Sequence, residues 1–386
     1  MTSNPTATAI ETSKPAFVKG LDGVVAVQTL ISMVDGPHST LAYRGININE
    51  LVAQATYEEV AFLLLNSQLP NKSELAVFNE RLAANRWLPA PIHDLLRSLP
   101  RDTVPMEALR TTVSALAFYD AEIEDISLEA TLRKAVRLIA QFPTICAAYQ
   151  RIRAGQEPIA PSAHLSHAAN TLHMLGLPSN DADFVGAMNA YYILLADHGM
   201  NASTFTGRVV ASTQADLHSS LTASLAALKG PLHGGANEAT MNMLLEIDDP
   251  AKVDAYVDDK MAKKAKIMGI GHRIYKNGDP RAVHLNSWAE RLGKRIGQIK
   301  YFEMAHGVAS RVKHHRELYP NVDFYSAPML YYIGIPIDLF TPMFACSRSA
   351  GWSAHVIEQY KDNVLIRPQS EYVGPMNVHY VPAENR

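Results

Sequence analysis

Three short segments carry side chains able to move protons: PLHGGANE at 231–238, GIGHRIYKNGDPR at 269–281 and YPNVDFYS at 319–326. Each sets one ionisable residue, His233, His272 or Asp323, among glycines or turn formers and not inside an amphipathic run. Glycine lets the backbone approach a ligand and adopt positive φ, at an entropic cost that core packing alone would not require. Two histidines and one carboxylate in such surroundings point to general acid–base work on carbon or oxygen.

Each segment also admits a plainer role. His233 precedes Gly-Gly and a predicted helix, so its imidazole sits at a helix N-terminus, where the partial positive charge disfavours imidazolium. A neutral ring there can donate an N–H to a developing enolate oxygen; the alternative is a simple helix cap. Gly269-Ile270-Gly271 lacks the third glycine of a dinucleotide fingerprint. The loop can instead wrap a ligand while Arg281 offers a planar fork to a carboxylate, or it is a surface turn with an exposed ion pair. Asp323, by itself, reads more readily as a turn residue than as a positioned base. ADHGMNAST, which carries His198, ends an apolar helix in small polar residues, and Arg348 and Arg367 are either ligands or surface cations. Lys260, Lys263, Lys264, Lys266, Arg273 and Lys276 form a basic stretch: a solvated face, or an attractor for a phosphorylated ligand. The remaining histidines, among them His164, His167, His173, His314 and His315, show no metal-ligand spacing.

Most of the chain must be the frame that positions these groups. At 386 residues and 47% hydrophobic, it can bury a large core and is expected to form two domains. A net charge of -3 creates no global field for nucleic acid or an anionic membrane. No apolar run approaches the roughly 18–20 residues needed to span a bilayer. Cys146 and Cys346 form no CxxC pattern, which argues against a disulfide framework or zinc ribbon and fits a reducing compartment. Residues 1–19 are polar, lack an apolar signal core and are expected to be a disordered arm.

Helical periodicity dominates, so the fold class is mainly α. Thr56 with Glu59 and Asn71 with Glu74 have capping-box spacing before apolar runs. Leu128, Leu132, Ala135 and Ile139 recur at helical intervals, as do Leu217, Leu221, Leu225 and Leu228. Prolines at 70, 89, 91, 100, 105, 143, 158 and 161 are expected to punctuate helices, and Ala26–Tyr43 is expected to hold a short hairpin. Lys229-Gly230-Pro231 is a helix stop and a candidate hinge, with a second hinge around Ala327–Gly334. These hinges define a small domain over 230–330 that contains His233, His272 and Asp323. Residues 20–229 and 331–386 then form a large helical domain.

Taken together, DHGMNAST, PLHGGANE, the GxGHxxYxxxDPR pattern, PNVDFYS and the arginine-bearing AGW and RPxxxYxG segments resemble the citrate synthase family. They occur in the family's order, and the resemblance runs from about Gly20 to the carboxyl terminus. Gly199 and Met200 depart from it, standing where many members carry Glu and an apolar residue. The resemblance implies a two-domain helical fold and a cytoplasmic homodimer with composite active sites, higher assembly being left open. It implies condensation of acetyl-CoA with oxaloacetate and thioester hydrolysis, with no metal or redox cofactor. His233 matches the group that hydrogen-bonds the acetyl oxygen, Asp323 the base, and His272 the group that polarises the ketone. His198, Arg281 and Arg348 match oxaloacetate ligands, and Arg367 the arginine given by the partner subunit. Lys264, Lys266, Gly269, Ile270, Gly271 and Arg273 are the expected CoA contacts. The nearest alternative is a 2-methylcitrate synthase using propionyl-CoA, since one methyl in a pocket is worth only about 1–3 kcal/mol. A non-catalytic acyl-CoA-binding or assembly protein and a metal-dependent lyase are more remote.

Overall fold

Residues 17–386, described in a computed structural model, fold as sixteen α-helices with one small sheet. The sheet is antiparallel, β1 (Ser32–Asp35), β2 (Thr40–Tyr43) and β3 (Ile46–Asn47), in that order. The helices are α1 (Ile48–Gln54), α2 (Tyr57–Asn66), α3 (Lys72–Ala84), α4 (Ala90–Ser98), α5 (Pro105–Leu116), α6 (Leu128–Arg153), α7 (His167–Leu175) and α8 (Ala182–Leu195). They continue with α9 (Ala202–Ser212), α10 (Leu217–Leu228), α11 (Ala236–Ile247), α12 (Val253–Ala262), α13 (Pro280–Arg295), α14 (Lys300–Arg316), α15 (Val322–Ile333) and α16 (Phe340–Lys361).

Local signals set several boundaries. Thr56 and Asn71 each cap a helix through a reciprocal capping box with Glu59 and Glu74, satisfying amides that the first turn leaves without partners. The hairpin forms with Ser32 opposite Tyr43, and the β2–β3 turn uses positive φ at Arg44 and Gly45. The Lys229-Gly230-Pro231 stop ends α10 at Leu228.

One proline-based expectation is corrected. Pro143 lies inside the 26-residue α6, where it does not end the helix. At the second candidate hinge, Ala327–Ile333 continue α15 through Pro328 and the helix ends at Gly334, φ 94. An interior proline costs about 3 kcal/mol. Both helices are buried along most of their length around the proline, so packing outweighs the local loss.

The core is organised around α16, with nineteen of its twenty-two residues buried. A helix without a polar face needs neighbours on all sides, and α2, α6, α8, α9 and α10 supply them. Small residues allow close approach: the Gly351 amide donates to the Ala196 carbonyl at 3.1 Å, and Ser347 Oγ donates to Tyr192 O at 2.5 Å. The two cysteines, 200 positions apart, meet where α6 crosses α16, as free buried thiols with sulfurs 3.7 Å apart.

The described residues divide by their contacts into Thr29–Ile366 and a unit of the two chain ends, 17–28 with Arg367–Arg386. The expected arm over 1–19 lies outside the described residues as far as residue 16; Lys19–Leu21 is a single 3-10 turn. Arg367 opens the carboxyl-terminal part of this second unit and is exposed, as are Tyr372, Val373, Met376, Val378 and Tyr380. Among the described residues no helix is long and apolar enough to cross a membrane.

Candidate active site

His198 lies in the tight junction between α8 and α9, and the small sheet fixes that junction. Tyr43 Oη of β2 donates to the Asp197 carbonyl at 2.9 Å, and Ser32 Oγ of β1 donates to the Asp197 carboxylate. Burial would raise the Asp197 pKa, but His355, Arg348 and Ser32 outweigh it and hold the carboxyl at about 2. His198 itself is buried and kept neutral, its pKa pushed well below 6.5 by desolvation and then by Arg281, Arg348, His272 and His233. Its Nε2 lies 3.2 Å from Tyr275 Oη, and its ring centroid is 5.4 Å from that of His272.

Arg348 projects from α16 and is 1% exposed. Its Nε donates to the Leu195 carbonyl at 2.6 Å, and the guanidinium lies over the Phe344 ring. No carboxylate among the described residues forms an ion pair with it, although Asp197 supports its charge from further off. Desolvation lowers its pKa to about 10. A buried cation without a salt-bridge partner is costly unless an anionic ligand completes it. Arg281, in the first turn of α13, is held differently. Its Nε and Nη2 clasp Asp279 at 2.9 and 2.7 Å, so one face of the fork is occupied and Nη1 is left over. Burial opposes the Arg281 charge, but the Asp279 carboxylate more than restores it.

The His272 loop is stitched to the start of α15. Gly271 N donates to Tyr319 O at 2.8 Å, Asn321 N to Gly269 O at 2.9 Å, and Asn321 Nδ2 to Gly271 O at 2.9 Å. Gly269 is required here: φ is +73, and a Cβ would sit 2.7 Å from Thr240 Oγ1 and 2.8 Å from Phe324. Asp279 adds a second stitch, accepting from Val322 N at 3.0 Å while it holds Arg281. Thus His272 and Asp323, 51 positions apart, are presented by one hydrogen-bonded unit.

His272 Nδ1 accepts the amides of Ile274 and Tyr275, each at 3.1 Å. That assigns the proton to Nε2, and burial, then Arg281, lowers the ring to about 4, so it is a neutral donor. His233 is fixed in the mirror sense. Its Nε2 accepts the Ser203 amide at 3.3 Å and lies 2.9 Å from Ser203 Oγ, which leaves the proton on Nδ1. Burial, aided by Arg348, holds this ring at about 4. Ser203 is itself held by Asn201 and by Trp352 of α16. Gly234 allows the tight approach, since a Cβ there would lie 2.3 Å from Leu228 O.

Asp323 occupies the first turn of α15, behind the Asn321 cap. Its Oδ1 is buried and has no hydrogen-bond partner among the described residues. Desolvation raises the carboxyl to about 7, with Arg281 and Arg348 opposing and Asp279 adding to the rise. A carboxyl so tuned can exchange a proton near neutral pH.

The expected CoA contacts lie on the same loop. Lys264, Lys266 and Arg273 are exposed and form no ion pair among the described residues, whereas Lys263 pairs with Asp259. Gly269 and Gly271 hold positive φ and Ile270 bridges to Pro320. Sequence reasoning passed over the basic last turn of α14, Lys313 to Arg316, which leads directly into the stitched segment. It also missed Ser203, Tyr275, Asp279 and Asn321. Asp279 and Asn321 carried a helix-cap signal; Ser203 carried none, because its partner is thirty positions away.

The site thus unites a carboxyl poised as a base, neutral imidazole donors and arginines that can receive carboxylates. That is the equipment of an enzyme making an enol and adding it to an anionic acceptor. Comparison with known proteins gives the class its name. A family profile described as citrate synthase, C-terminal domain, matches residues 20–369. The chain is 45% identical to Citrate synthase 2 of Bacillus subtilis, covering 95% of this chain and 99% of that protein. It is 42% identical to a 2-methylcitrate synthase of Mycobacterium tuberculosis, covering 97% and 94%. The fold superposes on the crystal structure of citrate synthase from Pyrobaculum aerophilum with a TM-score of 0.90 at 39% identity, covering 99% and 100% of the two chains. It also matches the Thermoplasma acidophilum citrate synthase, solved with carboxymethyl coenzyme A and oxaloacetate, with a TM-score of 0.90 at 32% identity, covering 96% and 99%. The chain belongs to the citrate synthase family, and its activity class is that of an acyltransferase.

Proposed function

We propose that His233, His272 and Asp323 carry out the citrate synthase reaction on acetyl-CoA and oxaloacetate. The observation that carries this assignment is complementary polarity: two neutral imidazoles offer N–H donors where a single unpartnered carboxyl can accept a proton. A carboxylate is too weak a base to deprotonate a thioester methyl unaided. Asp323 therefore takes the proton while His233 Nδ1–H binds the oxygen on which enolate charge develops. The enol carbon attacks the oxaloacetate ketone, polarised by His272 Nε2–H, and the new C–C bond leaves a hydroxyl on the former ketone carbon. Water then cleaves the thioester, releasing citrate and CoA.

Arg348, Arg281 and His198 receive the two oxaloacetate carboxylates, and Arg367 completes the set from the partner of a homodimer. The exposed apolar side chains near Arg367, with Val373 90% exposed, are the kind of surface that a second copy covers. Lys264, Lys266 and Arg273, with the glycine loop between them, meet the CoA phosphates and adenine. Residues 230–330 act as a small domain that closes on the 20–229 and 331–386 frame and keeps water out until carbon–carbon bond formation. Nothing in this scheme calls for a metal or redox cofactor, and it suits a cytoplasmic enzyme.

A relative of nearly equal identity is named 2-methylcitrate synthase, so propionyl-CoA is the alternative donor. Steady-state CoA release with oxaloacetate and each thioester decides between them. Higher kcat/KM with acetyl-CoA is expected; a clear propionyl preference would overturn the choice of donor, and no release with either would overturn the reaction.

A further inference from the structure

We infer that Tyr275 is a positioning residue for the keto acid: its hydroxyl fixes the tautomer of His198, so that His198 offers an Nδ1–H to a substrate carboxylate. This rests on the oxaloacetate site proposed above. In the proposed reaction all three histidines donate, to a developing enolate, a ketone and a carboxylate, and a neutral imidazole donates from only one nitrogen. For His272 and His233 the choice is made by backbone amides, which no side-chain substitution removes. His198 has no such amide. Its Nε2 meets Tyr275 Oη at 3.2 Å, and neither ring nitrogen has another hydrogen-bond partner among the described residues.

Which of the two groups donates follows from their chemistry. Among the described residues either polarity leaves one buried polar hydrogen without a partner, on Tyr275 Oη or on His198 Nδ1. Only a donating phenol puts it on Nδ1, where a substrate carboxylate can accept it; an accepting phenol would turn the Nδ1 lone pair toward that anion. Burial also drives the phenol pKa upward, so the proton stays on oxygen. The donor is therefore O–H, the acceptor is Nε2, and the His198 proton resides on Nδ1. Tyr275 further couples the two oxaloacetate-facing imidazoles. Its own amide is one of the two that fix His272, and its ring centroid lies 4.7 Å from that of His272 and 5.5 Å from that of His198.

Tyr275→Phe keeps the ring and the amide and removes only the hydroxyl. Losing one orienting hydrogen bond should raise the KM for oxaloacetate about 10-fold. The acetyl-CoA KM and the melting temperature should be essentially unchanged, and kcat should fall much less than the KM rises. A loss confined to stability, or an oxaloacetate KM equal to that of the unmodified enzyme, would overturn the inference. An independent reading needs no variant that folds differently: nitrogen-15 shifts of His198 in the unmodified protein, identified by their absence in His198→Asn. A pyridine-type Nε2 with a pyrrole-type Nδ1 is expected, and the reverse would overturn the inference. If the unmodified protein does not turn over oxaloacetate, the substrate assignment fails, while the shifts still decide the tautomer.

Discussion

The floor and the rim of this site hold their charges in opposite ways. On the floor, Arg348 and the Asp197–His198 junction belong to the most deeply packed elements, with α16 enclosed on all sides and tied to the end of α8 through Leu195, Ala196 and Tyr192. On the rim, His233, His272 and Asp323 sit on turns and a helix start, held by a few hydrogen bonds from Ser203, Tyr275 and Asn321. Among the described residues, the floor contains a cation with no salt-bridge partner, and the rim a carboxyl, that of Asp323, with an unpartnered oxygen. On the proposed assignment, binding charge lies in the deeply packed part, where substrate would supply the missing anion. Proton-moving groups lie where a small displacement can change their surroundings.

The largest effect should come from the rim. On the proposed assignment His233→Ala removes the donor to the developing enolate oxygen, so it should reduce kcat by about 10³-fold with oxaloacetate affinity little changed. Comparable losses in kcat and in oxaloacetate affinity would place His233 in binding and erase the distinction. On the floor, Arg348→Met should weaken oxaloacetate binding on the order of 100-fold. The same variant should melt no lower than the parent, because it removes a buried charge without a salt-bridge partner. A large drop in melting temperature would make Arg348 a structural residue and not a waiting ligand.

The rim carboxyl also predicts how stability depends on pH. With a native pKa of about 7 against an ordinary 3.8, Asp323 binds its proton more tightly folded than unfolded. Its contribution is therefore most favourable at low pH and is lost as pH rises through about 7, by a few kcal/mol at most (on the order of 1.4 per pKa unit). His233 and His272, lowered to about 4, act oppositely and destabilise the fold as pH falls from about 6.5. Replacing Asp323 by Asn should accordingly stabilise the protein more at pH 8 than at pH 5. Equal shifts at both values would show that the carboxyl is not desolvated.

The rim was far more legible in sequence than the floor. His233 and His272, flanked by glycine, stood out from their neighbours alone, although a helix cap and a surface turn stayed open as plainer readings. Asp323 did not, because a carboxylate beside Pro and Asn is also an ordinary turn residue; its meaning comes from burial and from Arg281 and Arg348, all remote in sequence. Arg348 looked like any arginine, since nothing local announces that α16 has no exposed face. The same blindness to three-dimensional neighbours explains the Cys146–Cys346 contact and Pro143 inside α6, where packing overrode a correct local preference. Local rules did well where local chemistry decides, as at the Thr56 and Asn71 capping boxes. Thr56→Ala should therefore give the smallest effect: about 1 kcal/mol of stability with unchanged turnover. A loss of activity there would mean that the frame and the site are coupled more tightly than their separation implies.

The central claim is that Asp323 makes the enol and does not bind the keto acid. Measuring oxaloacetate binding by calorimetry and condensation by CoA release, both in Asp323→Asn, tests it most directly. Oxaloacetate affinity within a few-fold of the parent, with condensation reduced by about 10³-fold or more, is the predicted result. Near-normal turnover in that variant would contradict it.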